Sequence, residues 1–199
     1  MPPIAFRSRF TMVLCVVAWA ALAVVLGIVV ATPGDFERGG VALGMAALAA
    51  LVWAVLWSPR VVVDDTEVTI ENVVSTVRIP WAALIQVETR YSLTLHTPGR
   101  VFSATAAPAP GQLSGLNAAR SERRRGQGAG SLIRPGDLAS TDSGRAADLV
   151  RSRWERLRDS GAIEAGVADA TEVQVHPRVT TIVTIVLAVA ALVASVLSS

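Results

Sequence analysis

Three stretches without a charged residue, Thr11 to Ala31, Gly39 to Ser58 and Val179 to Ser199, constrain this chain more than anything else in it. Each has about the 20 residues that a helix needs to cross the hydrocarbon of a bilayer. A 52% hydrophobic content and a mean hydropathy of +0.49 agree with lipid as part of the chain's surroundings. None of the three stretches carries a carboxylate, arginine or histidine, which argues against a transporter, proton relay or channel.

The first stretch reads as a transmembrane helix at 11–31. Arg7 and Arg9 before it and Val29-Val30-Ala31 at its end also suit a secretory signal, but signal cores run only about 7 to 15 residues. Residues 32–38, T-P-G-D-F-E-R, cannot stay in hydrocarbon and form a loop. A second helix at 39–58 therefore returns antiparallel to the first. Ala23, Gly27 and Ala31 on one helix, and Ala42, Ala46, Ala50 and Ala54 beside Gly40-x-x-x-Gly44 on the other, are small residues four apart, the spacing that lets helices approach closely. An alanine-rich composition produces the same spacing by chance. Trp53 and Trp57 fall at the headgroup end of the second helix.

Residues 179–199 form a third span. Arg7, Arg9, Arg60 and Arg178 flank the spans on one side, against Arg38 beside two carboxylates on the other. The excess of basic residues predicts that the N-terminus (1–10) and everything between the second and third spans are cytoplasmic, with the C-terminus outside, in an integral, three-span plasma-membrane protein.

Between the membrane segments lies a small β-domain, 59–104. Arg60 to Val63 is a short strand, Asp64-Asp65-Thr66 a turn, and Glu67 to Glu71 alternates polar and apolar as a half-buried strand does. Val73 to Ile79 follows, closed by Pro80, which cannot donate to a ladder. Trp81 plugs the core. Leu84 to Tyr91 places Ile85, Val87, Thr89 and Tyr91 on one face, and Ser92 to His96 and Val101 to Ala104 complete an antiparallel meander across the turn at Thr97-Pro98-Gly99-Arg100. The expected core is Val68, Ile70, Ile79, Trp81, Ile85, Val87, Leu93 and Leu95, with Trp154 packed on it from a helix.

Residues 105–144 change to Ala, Pro, Gly, Ser and Arg and read as a long, flexible insert. Within it, Arg120, Arg123, Arg124 and Arg125 surround Glu122. This cluster is either a solvated charge run or a contact for anionic lipid, worth about 1 kcal/mol per basic residue near the surface. Residues 145–160 form an amphipathic helix with Ala146, Leu149, Val150, Trp154 and Leu157 on one stripe and arginines on the other faces, ended by Ser160-Gly161. The stripe covers an open end of the β-structure or lies on a membrane surface. Residues 161–178 are a tether in which Val173 and Val175 suit an extra strand.

Two apolar spans, the hairpin D-D-T-E-V-T-I at 64–70, the turn Val77-Arg78-Ile79-Pro80-Trp81 and the helical R-S-R-W-E-R-L-R at 151–158 together resemble the bacterial pleckstrin-homology-like membrane proteins of actinobacteria, of the low molecular weight antigen 6 type. The resemblance covers 11–104 and, more loosely, 145–159. It implies a PH-like fold, a bent sandwich of antiparallel strands closed by a C-terminal helix, and it implies no particular ligand. The insert leaves a seventh strand unplaced, and the third span lies outside the group's pattern. The expected fold is thus a helical hairpin in the membrane, a small PH-like sandwich with its amphipathic helix, and a last membrane helix.

Few functions are open to such a chain. A net charge of +2 over 199 residues does not suggest a nucleic-acid partner. His96 and His176 have no ligand-spaced companions, Asp64 and Asp65 sit together in a turn, and the lone Cys15 lies in an apolar run. Neither a catalytic constellation nor a metal or cofactor site is expected. The acidic 64–67 turn repels phosphate where PH domains generally gather basic residues. The reading is a non-catalytic interaction or scaffold module whose partners are the bilayer and a membrane or cytoplasmic protein. The alternative is an anionic-lipid module using Arg120–Arg125 and the arginine face of the 145–159 helix.

Overall fold

The computed structural model describes residues 3–32, 38–89, 92–108, 141–163 and 166–197. In chain order the elements are β1 (Ile4–Phe6), α1 (Arg9–Ala31), α2 (Arg38–Val52) with a π-helical turn at Trp53–Trp57, β2 (Arg60–Val63), β3 (Glu67–Glu71) and β4 (Ser75–Pro80). After a 3₁₀ turn at Trp81–Ala83 come β5 (Gln86–Glu88), β6 (Ser92–His96), β7 (Val101–Pro108), α3 (Asp142–Asp159), β8 (Gln174–Pro177) and α4 (Val179–Leu197). Three helices, Arg9–Ala31, Gly39–Trp57 and Val179–Leu197, are long and apolar enough to cross a membrane.

The strands form two antiparallel sheets, β1-β2-β3-β4-β8 and β5-β6-β7. In the first, Val61 faces Ile70 and Ile70 faces Val77, so each strand sends alternate Val and Ile inward. In the second, Leu95 pairs with Val87 and Phe102. The core fills the space between the sheets, and α3 closes it by packing against β2, β5, β6 and β7. Asn72 staples the sheets at one edge. Its amide donates to the Ser103 carbonyl at 2.9 Å, and its oxygen accepts from the Thr105 N–H at 2.9 Å.

Local chemistry sets the ends of α3. The Thr141 hydroxyl accepts from the Gly144 N–H at 3.0 Å, so the helix starts before the Arg145 expected from its apolar stripe. Gly161 takes a left-handed φ of 72°, and Ala162 N–H reaches back to the Leu157 carbonyl at 2.9 Å, the bond that ends the helix.

Four expectations need correction. The N-terminal segment expected only to precede the membrane supplies strand β1, whose three residues give too short a pattern to show periodicity. The strand expected to end at Ala104 runs on to Pro108, so the first residues assigned to the 105–144 insert belong to β7, whereas the extra strand expected at Val175 in the 161–178 tether is present as β8, paired with β4 from Ser75↔Pro177 to Arg78↔Gln174. Ile85 is not in the core but 51% exposed. The 3₁₀ turn ends by burying Leu84, so the inward phase restarts at Val87 and the strand covers only Gln86–Glu88 within the expected 84–91. Finally, Ala42 and Ala46 of the Ala42/Ala46/Ala50/Ala54 stripe are exposed and make no close helix approach, while Ala54 is fully buried. Gly40 and Gly44 instead face α4, where the Ser195 hydroxyl donates to the Gly40 carbonyl at 2.6 Å. A Cβ on Gly44 would lie 2.7 Å from that hydroxyl, whereas one on Gly27 would meet nothing within 4 Å. α1 meets α2 through Trp19, whose indole donates to the Ala49 carbonyl at 3.1 Å and stacks 6.2 Å from Trp57.

Candidate functional site

Three features of the domain's surface bear on function, and the first is a closed door. In the β2–β3 turn, an Asp64 carboxylate oxygen accepts from the Thr66 and Glu67 N–H groups, both at 2.7 Å, and from the Thr66 hydroxyl at 2.9 Å. Burial pushes the Asp64 carboxyl up, but these hydrogen bonds to the charged form outweigh it and hold the group below its ordinary value. The Asp64 carbonyl accepts from the Trp81 indole at 3.2 Å and from Arg153 Nε at 3.4 Å. Arg153 is buried, and its guanidinium pairs with the Asp65 carboxylate. The turn is therefore acidic and bonded to the domain's own arginine, a poor place for a phosphate.

Arginine on the core side of α3 was not expected, since the helix's arginines were assigned to its outer faces. The signal was present in the register. Position 153 lies three residues after Val150 and seven after Ala146, on the same stripe, and a charge on an apolar stripe marks a buried pair.

The second feature is where the apolar helices meet the domain. Glu71 pairs with Arg60 just after α2 at 2.7 Å and with Arg178 just before α4 at 3.3 Å. Arg178 also donates to the Asn72 carbonyl at 2.9 Å. At the first apolar helix, the side chain of Ser8 caps α1, accepting from the Thr11 N–H at 3.2 Å, and its hydroxyl donates to Asp142 at the start of α3. All three apolar helices are thus rooted in the same side of the β-domain.

Beside the α1 root opens a cleft of about 570 Å³ lined by Ala5, Phe6, Arg7, Arg9, Met12, Arg145 and Leu149. Arg145 pairs with Asp142 and lies 6.0 Å from the Phe6 ring; Arg7 lies 5.8 Å from the Trp57 ring. Arg9 has no hydrogen bond or ion pair with a described residue.

The third feature is a smaller cleft of about 300 Å³ between the β6–β7 turn at Pro98–Arg100 and the segment that leads into β8, lined by Phe102, Thr171, Val173 and Val175 among others. β8 ends its sheet, and all four of its residues are exposed.

Of the residues singled out in the sequence, Val68, Ile70, Ile79, Trp81, Val87, Leu93 and Leu95 lie in the core, with Trp154 half-buried against it. Arg120, Arg123, Arg124 and Arg125 lie outside the described residues. His96 Nε2 sits 3.2 Å from Glu88, and His176 is exposed on β8. No group of three or more His, Cys, Asp or Glu side chains among the described residues could hold a metal ion.

A family model described as Bacterial PH domain matches residues 58–159, a little over half of the chain and the span from the end of α2 to the end of α3. No curated protein and no solved structure matches.

Proposed function

We propose that this chain, which belongs to the bacterial PH domain family, is a membrane-anchored, non-catalytic interaction module held at the inner face of the plasma membrane. The observation that carries this reading is the common rooting of α1, α2 and α4 in one side of the sandwich, through Ser8–Asp142, Arg60–Glu71 and Arg178–Glu71. Helices of membrane length that meet the domain on one side keep it at a bilayer surface, and the arginines at those roots favour the cytoplasmic face.

The partner we infer is a protein that adds an extended segment to the outer edge of β8. That edge pairs with no other described strand, and the cleft at Phe102, Thr171 and Val175 lies beside it to take a side chain. Backbone ladder bonds supply affinity in this mode and the cleft supplies selectivity.

Two measurements test the reading in the full-length protein. Cysteine placed at Arg100 in the β6–β7 turn should resist membrane-impermeant maleimide in intact cells and react after lysis; labelling in intact cells would reverse the orientation. A photocrosslinker at Gln174 should join a discrete membrane or cytoplasmic protein, and Val175→Pro, which removes an edge N–H, should abolish the adduct. Crosslinking that survives Val175→Pro would place the partner elsewhere.

A further inference from the structure

We infer that the cleft between β1, the start of α1 and α3 binds the phosphate of an anionic phospholipid. Arg7 and Arg9 come from the chain just before and at the first residue of α1, and Arg145 comes from α3, so tertiary packing alone brings the three arginines to the lining of one cleft. The acidic group beside them is Asp142, and it is already engaged by the Ser8 hydroxyl and by Arg145. Three guanidinium charges against one carboxylate leave an excess of positive charge in a space large enough for a headgroup. Arg9 carries no hydrogen bond or ion pair to a described residue, and Arg145 Nε is buried without a hydrogen-bond partner.

The cleft's position selects lipid over a soluble phosphate. One wall is the apolar helix α1 itself: Met12 lines the cleft one turn beyond Arg9, and Val13, Val16 and Val17 continue along the helix more than half exposed. A phosphate among the arginines would leave its acyl chains running beside those side chains. Arg7, held over Trp57, sits at the depth where indoles favour the headgroup zone. Neither the acidic β2–β3 turn nor the β8 edge takes part, so the inference requires only that the three helices lie in a bilayer, whether or not a protein docks on β8.

The test uses the full-length chain in nanodiscs of phosphatidylcholine with or without phosphatidylglycerol, with retained lipids counted by native mass spectrometry. The wild-type chain should retain phosphatidylglycerol in preference to phosphatidylcholine. Arg9→Gln should reduce that retention about fivefold, while Arg100→Gln at the distant β6–β7 turn should leave it unchanged. Thermal unfolding of Arg9→Gln in phosphatidylcholine discs should match wild type, which separates lost binding from lost folding. Equal retention by wild type and Arg9→Gln would overturn the site. Displacement of the lipid by millimolar inorganic phosphate would overturn the lipid source and assign the cleft to a soluble anion. Normal insertion without any preference for phosphatidylglycerol would overturn this inference and leave the anchoring intact, whereas failure to insert would overturn the anchoring and this inference with it.

Discussion

The guanidinium of Arg153, buried under the sandwich by α3, pairs with the carboxylate of Asp65 in the β2–β3 turn, 88 residues earlier. The pair ties the closing helix to the first hairpin that follows the apolar helices. Asp65 is nearly half exposed, so its own desolvation cost is modest, while Arg153 has little access to water. Asp65→Ala should therefore lower the midpoint of chemical denaturation, because it leaves a buried cation less well compensated. A double-mutant cycle with Arg153→Met, read by chemical denaturation, should show favourable coupling. Strict additivity would mean that the pair does not hold α3 in place.

Glu71 joins the end of α2 to the start of α4 through two arginines, and its side chain is only 13% exposed. Glu71→Gln should loosen both roots, and β8 lies between the second root and the sheet. Amide hydrogen exchange at His176, in the pair that alternates with the outward-facing Val175 N–H, should quicken in this variant while β6 stays protected. Unchanged exchange in β8 would show that the strand is held by its ladder to β4 alone.

The contact of α2 with α4 depends on the absence of a side chain at Gly44. A Cβ there would come 2.7 Å from Ser195 Oγ, which is itself bonded to the Gly40 carbonyl. Gly44→Val should lower stability in detergent by about 1–3 kcal/mol through overpacking, whereas Gly27→Ala should be neutral or slightly stabilising because nothing lies within 4 Å of its added Cβ. Equal melting temperatures for Gly44→Val and wild type would rule out this close approach.

Acid should weaken the β2–β3 turn in a defined window. The Asp64 carboxyl titrates below its ordinary value of 3.8, since its hydrogen bonds to Glu67 and Thr66 outweigh burial. A depressed folded-state value contributes stability that is present above the unfolded-state pKa and is lost as pH falls through the folded one. The melting temperature of wild type should exceed that of Asp64→Asn at pH 6, and the gap should narrow as pH drops below about 4. A gap that stays constant down to pH 3 would show that the Asp64 charge contributes nothing to the turn.

Much of the architecture was legible because its signals are local. Uncharged runs of membrane length, the alternation in Glu67–Glu71 and Ser92–His96, and the stop at Pro80 each need only neighbouring residues to be read. The 146–150–157 stripe of α3 is local in the same sense. Ile85 was misplaced for the opposite reason: alternation assumes an unbroken strand, and the 3₁₀ turn at Trp81–Ala83 resets the phase. β1 escaped notice because three residues form a strand only when β2 is there to receive them.

The composition and order of residues were enough to specify apolar helices on either side of a small antiparallel domain, since period and hydrophobicity are properties of neighbouring side chains. They were not enough to say that Arg153 turns inward to Asp65, that Gly44 faces α4 and not α1, or that Arg7, Arg9 and Arg145 share one cleft. Those relationships join residues from 88 to more than 130 positions apart. Only the closure of the sandwich by α3 and β8 brings such distant residues together, because a charge or a missing side chain acquires its role from the surface packed against it.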